Sequence, residues 1–357
     1  MTARIQFFGD LILNGLYNDP LQHGALKENM LWLDAFLGKA DFRIVNWESP
    51  LWGDGKINEL RSPCLTTTQE TASQVLPVQF NLATLANNHF FDCRESGLRN
   101  TIGFLNDNRI KTMGVGETNE AVAQPLFQEI GGIRFCFLNY VGKETNANPP
   151  PDAAFFANDL VPEKVEADIV TNVGQCDHLI ILPHWGTYER VRYPEPWQRK
   201  LARRWIDLGA RLVVGTHAHS LQGWENHKNG TIVYSLGDFL FSSSLSFPGC
   251  STSIYDPLSN QIAVLDVVFD TNSLQKMEFR FLRRDFESLV LREDTGKSRS
   301  RALARVSSVL KGGDKKLSRY LKFDRFLSLS RELYRRLGMD QAVKTCNRLR
   351  KKLFRHQ

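Results

Sequence analysis

A chain of 357 residues, 42% hydrophobic and 24% charged, has the composition of a soluble globular protein built as one large α/β domain with an appendage or as two ordinary domains, which excludes a disordered or fibrous chain. No apolar run approaches the roughly 18 residues of a membrane span, and the first twenty residues show neither a charged leader nor a cleavage motif, so the expectation is a cytoplasmic protein without signal peptide or transmembrane segment. The net charge of +6 conceals two opposed parts, because residues 296–357 hold 19 Lys and Arg against 4 Asp and Glu, while residues 1–295 hold 26 against 35.

In chain order, Ile5 to Asp10 reads as an apolar strand, and Leu26 to Leu37 as a helix stopped by Gly38. Phe42 to Val45 is the next strand, which makes β-α-β and hence a parallel crossover. Residues 49–76 read as a long loop that turns helix-compatible. A strand then runs to Leu85, a helix from Ser96 to Asn106, and a strand around Lys111 to Val115. Gly131-Gly132 between two apolar runs predicts a β-hairpin. Val161 to Val173 is helical, Leu179 to Leu182 a strand, Pro196 to Leu208 a helix, Leu212 to Val214 a strand, and Ile232 to Leu236 another. Gln261 to Phe269 and Lys276 to Leu282 close the pattern as antiparallel strands. Two sheets packed face to face between helix layers accommodate this order. The six cysteines have no Cys-x-x-Cys spacing, so neither a zinc ribbon nor a redox pair is indicated.

Several of these strands end in chemistry. Ile5 to Asp10 ends in Gly-Asp, Phe42 to Glu48 in a carboxylate, Phe80 to His89 in Asn-Asn-His, Leu179 to Gly186 in His184, and Arg211 to Ser220 in His217 and His219. The carboxyl ends of parallel strands are where open α/β proteins place their ligands. One mixed oxygen and nitrogen site made by converging loops accounts for all five endings. Arg190 and Arg192, two residues apart, either face one way and grip phosphate or carboxylate or are solvated.

From about Ser298 the apolar residues Leu303, Val306, Leu310, Leu317, Tyr320, Leu321, Leu327, Leu333, Tyr334 and Leu337 fall at helical spacing with Arg and Lys on the other face. The reading is a basic helical C-terminal extension, 296–357, beside a main domain of 1–295. It either packs on that domain with its charged face in water or rests on an anionic membrane surface or polyanion, peripheral to the inner membrane face. No fold or stacking pattern for nucleic acid is present, and no nucleic acid partner is expected.

Gly9-Asp10, Asn46-Trp47-Glu48, Ala86-Asn87-Asn88-His89 with Asp92, His184-Trp185-Gly186, Gly215-Thr216-His217-Ala218-His219 and Tyr234-Ser235-Leu236-Gly237-Asp238-Phe239, in this order over residues 4–245, resemble the CapA family of capsule and poly-γ-glutamate biosynthesis proteins. That domain looks like the calcineurin-type metallophosphoesterases. The resemblance implies a two-sheet αββα sandwich with a C-terminal helical appendage and a site for two divalent metal ions, with Mn, Zn or Fe suited to the donors. Asp10 and His219 would hold one ion, Asn88, His184 and His217 the other, and Glu48 would bridge them. His89 would be the general acid, oriented by Asp92, and Asn46 and Asp238 of the matched motifs, with Arg190 and Arg192 by their spacing alone, are the candidates to face the substrate. The implied reaction is attack of metal-activated water on an anionic ester or amide of capsule or exopolysaccharide assembly, with an anionic polymer or phosphate-containing substrate and the capsule synthesis machinery as partners. The alternative is a non-catalytic, metal-stabilised subunit that binds polymer or acts as a scaffold. The chain also departs from the wider pattern, with Leu11-Ile12 where an Asp-x-His pair is usual, Glu48 where phosphoesterases carry Asp, Asp238 where the family tends to show Asn, and Tyr188-Glu189 in place of Glu-Tyr.

Overall fold

Alternation with a period of two separates the residues of each central strand into two packed faces. In a computed structural model, which describes residues 1–60, 63–147, 149–241, 244–247, 250–253, 261–285 and 289–330, the first sheet contains Thr2–Ile12 (β1), Phe42–Trp47 (β2), Leu82–Thr84 (β3) and Lys111–Met113 (β4). The second contains Leu126–Ile130 (β5), Ile133–Val141 (β6), His178–His184 (β7), Leu212–Val214 (β8), Trp224–His227 (β9) and Gly230–Val233 (β10). The chain then returns to the first sheet with Asp238–Phe241 (β11), Gln261–Asp270 (β12), Leu274–Arg284 (β13) and Leu291–Glu293 (β14). The strand orders are β14-β13-β12-β1-β2-β3-β4, with β11 also beside β1, and β9-β10-β8-β7-β6-β5.

Pairing is parallel from β1 through β4 and among β6, β7, β8 and β10, and antiparallel at the flanks. The faces of the two sheets that meet share one apolar layer, with Ile5, Phe7, Phe42, Ile44 and Leu82 from the first against Phe135, Phe137, Ile180, Leu182, Leu212 and Val214 from the second. The intervening residues of the same strands point outward. Val45, Trp47 and Ala83 pack under helices His23–Leu37 (α1) and Arg94–Asp107 (α2). Leu138, Tyr140, Leu179, Ile181 and Val213 pack under Pro162–Asn172 (α3), Pro196–Asp207 (α4) and Lys297–Leu310 (α5). The result is the αββα sandwich, and the hairpin turns through Gly131 (φ 60) and Gly132 (φ 79) as its Gly-Gly sequence requires.

The basic extension shares this core over its described part. Val306, Val309, Leu310, Leu317 and Leu321 are buried with the outer face of the second sheet, and residues 313–330 continue as helix. Arg199, on α4, donates to Asp314 at 2.7 Å and to the Leu310 carbonyl at 2.6 Å. Lys297, Arg301, Arg305, Lys311, Lys315, Lys316, Arg319 and Lys322 remain exposed. The expected helical positions Leu333, Tyr334 and Leu337 lie outside the described residues.

Candidate metal centre

The parallel strands deliver their carboxyl ends to one buried cluster. Asp10 lies within the last turn of β1, and its backbone N–H donates to Gly237 O at 2.9 Å. That approach requires glycine at position 9, because a Cβ there would lie 1.9 Å from Gly237 O. Asn46 and Glu48 leave β2, Asn88 and His89 follow β3, His184 ends β7, and His217 and His219 follow β8. His217 (φ 92) and His219 (φ 47) both occupy the left-handed region. Such backbone costs on the order of 1–3 kcal/mol per residue, and here it turns both imidazoles to the same side of the loop. Asp10, Glu48, Asn88, His89, Asp92, His184, His217 and His219 are all buried.

Two groups of donors result. In one, His184 Nε2 lies 2.8 Å from Asn88 Oδ1 and 3.1 Å from His217 Nδ1, with Glu48 Oε1 4.0 Å away. His184 Nδ1 faces Thr216 Oγ1 at 3.0 Å. In the other, His219 Nδ1 lies 2.7 Å from Asp238 Oδ1 and 3.5 Å from Asp10 Oδ2, while its Nε2 is 3.9 Å from Glu48 Oε1. Glu48 therefore lies between the two groups. Asn46 Nδ2 donates to Asp10 Oδ1 at 2.7 Å and to Glu48 Oε2 at 3.3 Å, and Asn87 Nδ2 donates to Asn46 Oδ1 at 3.3 Å.

The electrostatics of the cluster call for positive charge. Burial, reinforced by repulsion from Asp238, pushes the Asp10 carboxyl up to about 6 although His219 and hydrogen bonds pull the other way. Burial and the neighbouring Asp10 carry Glu48 well above its usual range. Burial works to lower His219, yet Asp238 and Glu48 hold it well above the ordinary imidazole range. Carboxylate, amide and imidazole lone pairs turned to common points, without thiolates, suit Mn, Zn or Fe. Groups Asp10-Glu48-His184 and Asp10-His219-Asp238 each present ligand atoms within 4.8 Å of one another, and the donor separations of 2.7 to 4.0 Å described above lie within the span of ~4.0–4.4 Å that a cation ~2.0–2.2 Å from each donor can bridge. Asp238 Oδ2 is buried without a hydrogen-bond partner, as expected of an oxygen shaped to meet a cation. The residues present therefore fit metal binding.

His89 stands beside Glu48, its Nε2 3.7 Å from Glu48 Oε1. Its Nδ1 meets Asp92 Oδ2 at 2.5 Å, and the same carboxylate oxygen accepts the Leu65 N–H at 2.6 Å. At the rim Glu189 is surface-exposed, and although desolvation acts to raise its carboxyl, His219 and His217, with Arg190 and His89, hold it below the usual range.

Three of the expected substrate-facing residues are elsewhere. Asn46 is consumed by bonds within the cluster, so it braces the site from inside. Asp238 is 2% exposed and bonded to His219, beneath the mouth rather than at it. Arg192 is engaged by Asp324, whose Oδ1 accepts from its Nε and Nη2 at 2.9 and 2.6 Å, which ties it to helix 313–330. Arg190 links two site loops through its N–H, which donates to Ala218 O at 2.6 Å. Sequence reading passed over Thr216 and Asn87, whose polar side chains hold His184 and Asn46. Both lie inside the quoted motifs, but their neighbours carry the stronger metal signal.

Facing sheets with carboxylate, amide and imidazole groups gathered at parallel strand ends define a two-sheet αββα sandwich with a candidate metal centre. The profile of the family described as "Bacterial capsule synthesis protein PGA_cap" matches residues 4–243, and the chain belongs to that family. It is similar to the capsule biosynthesis protein CapA of Bacillus anthracis, at 29% identity over 241 residues, 65% of this chain and 58% of that protein. It is also similar to the PGA biosynthesis protein CapA of Bacillus subtilis (strain 168), at 25% identity over 246 residues, 66% of this chain and 62% of that one. The match thus spans less than two thirds of either relative. A putative 5'-nucleotidase from Staphylococcus aureus, solved in complex with alpha-ketoglutarate, shares the fold with a TM-score of 0.51 at 13% identity, over 86% of this chain and 59% of that one. Among the described residues no helix is long and apolar enough to cross a membrane.

Proposed function

We propose that the chain is a dinuclear metal-dependent hydrolase that cleaves an anionic ester or amide in the assembly of a capsule or exopolysaccharide of the poly-γ-glutamate type. Asp10 and His219 would hold one cation, Asn88, His184 and His217 the second, and Glu48 both. When bound, such a pair supplies a water of lowered pKa and a clamp on the oxygens of the group under attack. The chain's own residues do the rest. Asp92 accepts the Nδ1–H of His89 and fixes the ring so that Nε2 holds the proton destined for the leaving group. Asn46 keeps the Asp10 and Glu48 carboxylates in their relative places. The buried walls exclude bulk water from the donors.

The observation that carries this reading is the His89–Asp92 pair directed at Glu48 beside two convergent donor groups. The test is hydrolysis of phosphodiester and γ-glutamyl model substrates by the purified chain loaded with Mn or Zn. Turnover is expected, and His89→Gln should abolish most of it while both cations stay bound. Full loading with no turnover on either substrate class would defeat the proposal.

A second reading is favoured by the exposed basic residues of 297–330. It makes the chain a polymer-binding or scaffolding subunit that rests on an anionic membrane through that surface, beside other parts of the capsule machinery. Exchange of Arg301, Arg305, Lys315 and Lys316 for glutamine should release the protein from anionic liposomes at physiological salt. Unchanged co-sedimentation would dismiss this reading.

A further inference from the structure

On the Asp10 side the strand itself offers one donor. Leu11 and Ile12, which follow Asp10 on β1, are fully buried and apolar, and Ile12 packs with Leu65 and Phe241. The missing donor arrives from a different strand. Register between β1 and β11 sets Asp238 opposite Asp10, and the turn before it needs the positive φ of Gly237, 69°. Asp238 Oδ1 accepts from His219 Nδ1 at 2.7 Å. Its Oδ2 is buried and has no hydrogen-bond partner. Among the described residues no lysine or arginine pairs with Asp10 or Asp238; the ion pairs of both are with His219.

We propose that Asp238 is a direct protein ligand of the cation beside Asp10. Its Oδ2 supplies the donor that Ile12 cannot, and its Oδ1 fixes His219 with Nδ1 protonated and Nε2 turned toward Glu48. The proposal rests on the two-cation reading above and adds a ligand to it. It also makes the two positions chemically unequal. The Asp10 position gathers three carboxylates and one imidazole, whereas the other gathers two imidazoles, an amide and a shared carboxylate. Oxygen-rich sets favour Mn and nitrogen-rich sets favour Zn or Fe, so a mixed pair is the preferred occupancy.

The experiment is cation titration of the chelator-stripped full chain with Mn, followed by calorimetry and by the electron paramagnetic resonance signal of free Mn. Wild type is compared with Asp238→Asn, which keeps the volume and the acceptor for His219 but removes the charged donor, and with Asp238→Ala, which removes both. Wild type should take up about two equivalents. In Asp238→Asn one of them should weaken by at least about tenfold to 100-fold while the other is unchanged, and Asp238→Ala should lose it altogether. A single cooperative melting transition of the stripped variants, with a midpoint above the titration temperature, separates loss of a ligand from loss of the fold. Two equivalents bound by Asp238→Asn as tightly as by wild type would overturn the assignment of Asp238 alone. A wild type that binds no Mn would overturn the two-cation reading together with it.

Discussion

Replacing Arg192 by alanine should cost the fold about 3–5 kcal/mol, the usual consequence of breaking a buried ion pair by removing one partner. Asp324 has no exposed side-chain surface, whereas the Arg192 side chain is 38% exposed. The carboxylate accepts Nε and Nη2 on one oxygen and the Arg192 backbone N–H on the other. Arg192→Ala leaves it in the interior with that single backbone donor. The opposite truncation is gentler. In Asp324→Ala the guanidinium regains water on its open side, so the loss is discounted to about 1–3 kcal/mol, most of it the orphaned N–H. Urea unfolding followed by tryptophan fluorescence reads both, since Trp185 and Trp205 stack at 5.3 Å in the layer that helix 313–330 covers. The reasoning fails if Arg192→Ala is within about 0.5 kcal/mol of wild type, the range of an ordinary surface substitution, or if the two truncations cost the same.

The metal-free centre should be stabilised by acid. Asp10 rises on folding from 3.8 to about 6, so its carboxyl binds more protons folded than unfolded, and stability falls by about 3 kcal/mol as pH rises through that interval. His219, also raised, contributes stability present below its unfolded pKa and lost as pH climbs through its folded one, so both groups act in the same direction. Melting of stripped protein between pH 4 and 8 checks this, and a midpoint that rises with pH contradicts it. Asp92→Asn should lower kcat roughly 10-fold to 100-fold and displace the alkaline limb of the pH profile with cation content unchanged; an unmoved profile would remove Asp92 from the role of orienting His89. Truncation at residue 296 should yield aggregated or low-melting protein, because it strips Leu303, Val306, Val309 and Leu310 from the core, and a monomeric, normally melting product would show the extension to be dispensable.

The layering was legible because each central strand is a short apolar run cut off by Gly, Asn or His, and the site because those interruptions carry the donors. What escaped the sequence is non-local. Strand β11 follows β10 after four residues yet pairs with β1 in the other sheet, and only that pairing buries Asp238 against Asp10. Arg192 and Asp324 lie 132 positions apart, so the local spacing of Arg190 and Arg192, which left a common face and solvation equally open, carried no sign that a distant carboxylate engages Arg192. The basic extension showed its amphipathic period, but the partner of its apolar face, the outer side of β6, β7 and β8, is fixed by tertiary packing.

Elemental analysis of purified, cation-reloaded protein, wild type beside His217→Ala, puts the convergence of these strand ends to the most direct trial. About two divalent ions per wild-type chain and at most one in the variant is the result the account predicts. Wild-type protein that retains none, or a variant that retains as many as wild type, would contradict it.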